Sequence, residues 1–150
     1  MNVSDAWKNA FLYHLYPLGF CGCPHDNRHE GEPVHRIERI HELWPHLREL
    51  GVDALLLGPV FESSTHGYDT ADLFSVDRRL GDWNSLRAVC AEAHRRNIRV
   101  VLDGVFNHVG RNFWAFRDVQ QKLAGSEYRD WFSGIRFDRR SPHNDGFAYD

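Results

Sequence analysis

Three apolar runs divide this 150-residue chain. The first, AFLYHLYPLGF over 10–20, mixes aromatic and aliphatic side chains and reads as a strand leading into a loop. The second, VDALLLGPVF over 52–61, is continuous, as in a strand buried on both faces. The third, IRVVLD over 98–103, ends on a carboxylate. Between them the period changes. VHRIERIHELWPHLRELG over 34–51 puts Ile37, Ile40, Trp44 and Leu47 at helical spacing, and Leu43 and Leu50 widen the stripe. Pro45 kinks that helix or splits it in two, and Gly51 is placed to end it. DWNSLRAVCAEAHRRN over 82–97 predicts a second helix, with Asp82 as N-cap and Leu86, Val89 and Ala93 on one face. The stretch 21–33 is loop by its Gly, Pro and polar content. The stretch 62–81 is a long polar excursion, and 104–150 is a loop-and-short-helix excursion rich in Trp, Phe and Gly.

The order is strand, helix, strand, helix, strand. Buried strands alternating with amphipathic helices imply an α/β fold with parallel strands and right-handed crossovers. A doubly wound nucleotide-binding sheet would carry a GxGxxG turn after its first strand, and YPLGFCGCP does not supply one. In a (β/α)8 TIM barrel the loops at the carboxyl ends of the strands handle the ligand. Those loops are the long polar ones here, so a barrel is favoured. A barrel takes roughly 250 residues; this chain reads as its N-terminal part. Residues 1–103 are expected to form the first part of the barrel, about three βα units. Residues 104–150 are expected to be the loop after the third strand and the start of an inserted excursion.

Composition narrows the function classes. Hydrophobic residues at 42% argue for a packed core. A net charge of −3, mixed in sign along the chain, gives no basic stripe for nucleic acid. No apolar run reaches the roughly 18 residues of a membrane span, and the start MNVSDAWKNAF lacks the pattern of a secretory leader. Three cysteines, Cys21, Cys23 and Cys90, are too few and odd for a disulfide framework and fit a reducing cytoplasm.

The chemistry-bearing residues cluster after the second and third strands. DGVFNH places Asp103, Asn107 and His108 at the expected ligand-facing end. An ionised carboxylate there needs hydrogen bonds or a partner. A plain alternative is that Asp103 satisfies loop N–H groups and His108 is an ordinary loop histidine. THGYD brings His66, a turn-permitting Gly67 and Tyr68. A sugar ring offers an apolar C–H face and an edge of hydroxyls. One aromatic platform with several polar groups would recognise it, if the two loops converge; otherwise THGYD is a polar turn with a packed tyrosine. CGCPHDNRH carries the zinc-ligand types Cys21, Cys23, His25 and His29, but no second Cys pair follows, and a loop is the better reading. His14 in YHLYP has no partner two residues on, which lowers a barrel metallohydrolase.

Taken together, FLYHLYPLGF, LRELGVDALLLGPVFES, HGYDTADLFSVDRRLGD and HRRNIRVVLDGVFNHVG fall in the order that resembles glycoside hydrolase family 13, the α-amylase family. The resemblance covers roughly residues 10 to 115. It implies a retaining double-displacement enzyme acting on α-glucosidic bonds of an α-glucan or oligosaccharide, in carbohydrate metabolism. It implies that His66 and His108 hydrogen-bond the sugar just before the scissile bond and that Tyr68 stacks beneath it. Asp103 would support the base of the site by pairing with an arginine outside this chain. Asn107 resembles a calcium ligand of many α-amylases and a purely structural residue of others. The loop 21–33 lacks the regular Asp/Asn spacing of the family's calcium loop. The nucleophile and acid/base of the family follow later strands, so no residue of this chain matches them, and the chain alone is expected to be inactive. Same-fold glucosyltransferases, isomerases and phosphorylases, or a non-catalytic carbohydrate-binding or interaction protein, stay open as alternatives.

Overall fold

The computed structural model describes residues 7–141 and 147–149. The leader reading rests partly on residues outside that range. Strands β1 (Leu12–Leu15), β2 (Ala54–Leu57) and β5 (Arg99–Leu102) form one parallel sheet in the order β1–β2–β5. Tyr13, Leu55 and Val100 share a register row, as do Leu15, Leu57 and Leu102. Leu15, Leu55 and Leu57 are buried against Ile37, Ile40, Trp44 and Leu47 from one crossover and Leu86, Val89 and Ala93 from the other. Leu12 and His14 lie exposed. The parallel α/β reading holds for this sheet.

Pro45 does split the first crossover. Arg36–Leu43 is a 3-10 helix and Trp44–Leu50 is α-helix α2, with the proline in its first turn, where its missing N–H costs nothing. The helix stops at Gly51, which takes the left-handed conformation and donates its N–H to the Arg48 and Leu47 carbonyls. Helix α3 (Trp83–Arg95) starts on a capping box: the Asp82 carboxylate accepts from the Ser85 N–H at 2.8 Å, and the Ser85 hydroxyl accepts from the Asp82 N–H at 2.9 Å.

Three local expectations need correction. The strand after position 10 is only four residues long, because Pro17 opens a single helical turn, α1 (Pro17–Phe20). The apolar run 52–61 is not one strand. It breaks at Gly58-Pro59, where proline cannot donate to the ladder, and restarts as β3 (Phe61–Ser63). The excursion 62–81 is not all loop. Thr70–Val76 forms β4, antiparallel to β3, with register shifts on both sides of Glu62. These bulges let Ser63, Thr70 and Asp77 bury polar side chains that a sequence reading assigns to solvent.

After β5 the chain forms helix α4 (Trp114–Lys122) and two single-turn 3-10 helices. Phe113, Ala115, Phe116 and Phe147 make a second apolar cluster, separate from the sheet core.

Candidate functional site

The loops that leave β2 and β5 touch at their backbones. Gly110 donates its N–H to the Thr70 carbonyl at 2.8 Å, and the Asn112 amide donates to the Ser64 hydroxyl at 2.9 Å. His66, Tyr68 and His108 are thereby brought to one exposed surface, with Asp103 half-buried beside them.

The hydrogen bonds fix which ring nitrogen carries each proton. His108 Nε2 lies 3.0 Å from the Tyr68 carbonyl. A carbonyl only accepts, so Nε2 is the donor and Nδ1 of neutral His108 is left as an acceptor. In the other loop the Tyr68 N–H donates to His66 Nδ1 at 3.2 Å. Nδ1 of His66 is therefore the acceptor and Nε2–H the free donor. The two imidazoles offer one donor and one acceptor, which a pair of hydroxyl groups can meet. Tyr68 is 38% exposed. Partial burial and then the facing Asp103 carboxylate push its phenol above the ordinary value. Asp103 itself is fixed through its N–H to the Leu57 carbonyl at 2.9 Å.

The His66–Tyr68 turn is held from below. The Tyr16 hydroxyl donates to the His66 carbonyl at 3.0 Å. Gly67 has φ of 93°, and a Cβ there would meet Pro59 at 3.0 Å and Leu18 at 3.3 Å. The Thr65 hydroxyl donates to Asp69 Oδ2 at 2.8 Å. Among the described residues Asp69 Oδ1 is buried without a hydrogen-bond partner, and it lies 3.7 Å from His66 Nδ1.

Two buried polar centres lie at the base of these loops; the sequence marked Glu62 only as a carboxylate near the mouth and His29 only as a metal-ligand type, and did not mark Asp77 or Arg79. Glu62 accepts from His29 Nδ1 at 2.9 Å, from Asn27 at 3.2 Å, and from the Arg78 N–H and Nε at 2.9 and 2.8 Å. Asp77 and Arg79, at 0% and 4% side-chain exposure, form a two-point ion pair with bonds of 2.9 and 2.7 Å. The only sequence signal was the D-x-R spacing within VDRRLG.

Asn107 is exposed and lies at the rim of an open cavity of about 310 Å³ that Trp131, Phe106 and Arg111 also line. The zinc alternative fails on geometry and charge. Among the described residues no three His, Cys, Asp or Glu side chains are grouped as a metal centre needs. Burial pushes the Cys21 thiol up to about 12 and the Cys23 thiol up to about 11, away from the thiolate a metal requires. All three cysteines are free.

The alpha-amylase catalytic-domain family model matches residues 29–148. The chain belongs to that family. Neopullulanase 2 of Thermoactinomyces vulgaris is 49% identical over 144 residues, covering 83% of this chain and 24% of the relative. Among solved structures, a cyclic alpha-maltosyl-(1→6)-maltose hydrolase from Arthrobacter globiformis, in complex with cyclic alpha-maltosyl-(1→6)-maltose, matches with a TM-score of 0.75 and 33% identity. The match covers 93% of this chain and 35% of that one. A debranching enzyme from Nostoc punctiforme matches with a TM-score of 0.77 and 31% identity, over 97% of this chain and 33% of its own. The chain thus spans about a quarter of the length of the curated relatives it matches. No helix of the described residues is long and apolar enough to cross a membrane.

Proposed function

We propose that this chain supplies part of the sugar-binding surface of a retaining hydrolase of α-glucosidic bonds, with an α-glucan or maltooligosaccharide as substrate. Its three βα units would be the front of a (β/α)8 barrel, and residues 104–150 the excursion that follows the third strand. The observation that carries the reading is the pairing of the two loops through His108 and the Tyr68 carbonyl. It leaves a ring face, a donor and an acceptor on one surface. Tyr68 packs against the C–H face of a glucosyl unit, while His66 Nε2–H and His108 Nδ1 engage its hydroxyls. Asp103 orients Tyr68.

Retaining cleavage needs a nucleophilic carboxylate and an acid/base about 5–5.5 Å apart, with charge developing on the sugar ring. The part assigned to this chain is to bind and orient the ring beside that pair. His66, Tyr68 and His108 would contribute most if they bind the distorted, partly cationic ring better than the relaxed one. Relatives named as hydrolases support water, not a second sugar, as the acceptor in this reading. Three free thiols and the absence of a disulfide framework support a cytoplasmic setting.

Calcium at Asn107 is a poorer fit. The ion takes six to eight oxygen ligands at about 2.3–2.6 Å, and among the described residues no carboxylate cluster stands with Asn107. No step is assigned to it.

The test is to express the complete translation product of the gene and assay it on maltotriose and cyclic alpha-maltosyl-(1→6)-maltose. The anomer of the first product is followed by proton NMR. Release of the α-anomer, with a large loss of kcat/KM in His108→Ala, supports the proposal. Absence of cleavage and transfer, or a His108→Ala variant as active as the parent, overturns it.

A further inference from the structure

The turn that carries His66 and Tyr68 stands on a buried charged group. Arg79 is buried, at 4% exposure, below the turn that carries His66 and Tyr68. Its guanidinium uses all of its N–H groups. Nε–H donates to Asp77 Oδ1 at 2.9 Å, and Nη2 to Asp77 Oδ2 at 2.7 Å and the Ser63 hydroxyl at 2.8 Å. Nη1 is shared by three main-chain carbonyls: His25 at 2.6 Å, Thr65 at 2.6 Å and Pro24 at 3.0 Å. Thr65 is the residue before His66. Pro24 and His25 belong to the loop that follows β1 and α1. One side chain therefore ties two loops, 54 and 14 positions away in sequence for His25 and Thr65, to the end of β4.

This connection is not generic packing. A core that needed only volume at this position would use an apolar side chain, since burying an ion pair is costly unless every donor and acceptor is matched. Here the matching is complete on the arginine side and extends to Asp77, which also accepts from the Ser63 N–H at 3.2 Å, the Ser63 hydroxyl at 2.8 Å and the Arg79 N–H at 3.0 Å. The planar fork addresses the carboxylate on one edge and the carbonyls on the other. A lysine, with one point charge and three donors, cannot do both.

We infer that Arg79 is a positioning residue: its guanidinium locks the Thr65 and Pro24–His25 carbonyls onto the Asp77 carboxylate and so sets the height and angle of the His66–Tyr68 sugar platform. This inference rests on the reading of that platform as the sugar site.

The test uses the complete translation product with two variants. Arg79→Lys keeps a positive partner for Asp77 but loses the fork. The double variant Asp77→Asn/Arg79→Gln removes both charges together, so that no buried carboxylate is stranded if the lysine variant does not fold. Two readouts are taken. Steady-state kinetics on maltotriose separate KM from kcat. Hydrogen exchange by mass spectrometry follows residues 21–33 and 62–70 against β1, β2 and β5. A positioning role raises KM roughly fivefold or more and speeds exchange in those two loops, with the sheet strands unchanged. A purely structural role lowers the folded fraction, which cuts apparent kcat and leaves KM alone; that result overturns the inference. Unchanged exchange in both loops also overturns it. If the parent protein does not act on the sugar, the reading of the site fails, and the exchange comparison still decides whether Arg79 holds the two loops.

Discussion

Replacing Gly110 with alanine separates the two loops that form the site. Gly110 has no positive φ, so its backbone conformation is open to alanine. In a site with room, the change would stabilise the fold by about 0.4–1 kcal/mol through the unfolded chain. The structure leaves no room. A Cβ built on Gly110 would sit 2.7 Å from the Asp69 carbonyl carbon, closer still to its oxygen, and 3.1 Å from the Thr70 oxygen. Ordinary contact begins at 3.4 Å, so the loops must part by about 0.7 Å at the Asp69 carbon. The neighbours are main chain and cannot swing aside as a side chain would. Overpacking of this kind costs about 1–3 kcal/mol, and the Gly110–Thr70 hydrogen bond at 2.8 Å is stretched with it. For a domain of 150–250 residues each kcal/mol lowers Tm by roughly 2–4 °C. Circular dichroism melts of the complete translation product and its Gly110→Ala variant, with maltotriose titrations on both, measure the two consequences. Tm should fall and sugar binding should weaken, because His108 moves away from the Tyr68 carbonyl. An unchanged or raised Tm with undiminished binding would refute the reasoning.

Three further outcomes are expected. The Glu62 carboxyl is raised by burial, but the Arg78 N–H, His29 and the Arg78 side chain outweigh that and hold it below the usual carboxylate range. A depressed folded-state value contributes stability above the unfolded value of about 4.3, and that contribution is lost as pH falls through the folded value; Glu62→Gln should therefore flatten the acid limb of a Tm-against-pH curve, and parallel curves would contradict the assignment. Cys21 and Cys23, with thiols pushed up to about 12 and about 11 by burial, should resist iodoacetamide at pH 8 until urea unfolds the chain; labelling at the rate of a free thiol would show them to be accessible thiolates. Tyr16→Phe removes one hydrogen bond to the His66 carbonyl, so maltotriose affinity should drop with a stability change of at most about 1 kcal/mol, and calorimetry that finds the reverse ordering would remove Tyr16 from the support of the site.

The parts of the fold that were legible follow from strong local signals. Ile37, Ile40, Trp44 and Leu47 mark a helical stripe that is buried as expected, and the Pro45 split and Gly51 stop follow from backbone chemistry alone. Asp82, an N-cap residue type just before the helical pattern, does cap α3, whose first residue is Trp83. The β3–β4 hairpin was not legible. Its second strand buries Thr70 and Ala71, leaves Phe74 79% exposed and buries Val76, so there is no clean alternation for a period-two reading to find. Its first strand is masked by the apolar run that β2 begins. At the site, residue types suggested sugar chemistry only if the two loops converged. That convergence depends on the Gly110–Thr70 backbone hydrogen bond and on the bond from the His108 ring to the Tyr68 carbonyl, which no spacing encodes. Arg79 was the least visible. A charged residue in a polar stretch reads as solvent-facing, and its burial is set by partners 14 and 54 positions away.

The central claim, that His66, Tyr68 and His108 bind a glucosyl unit, is tested most directly by titrating the isotope-labelled complete translation product with maltotriose and following its amide and imidazole NMR signals. The account predicts saturable shifts centred on residues 65–69, 103 and 107–110, with His108 keeping its proton on Nε2 and its Nδ1 signal moving as it accepts from the sugar. Saturable binding that leaves those signals in place, or no binding by the folded protein, would contradict it.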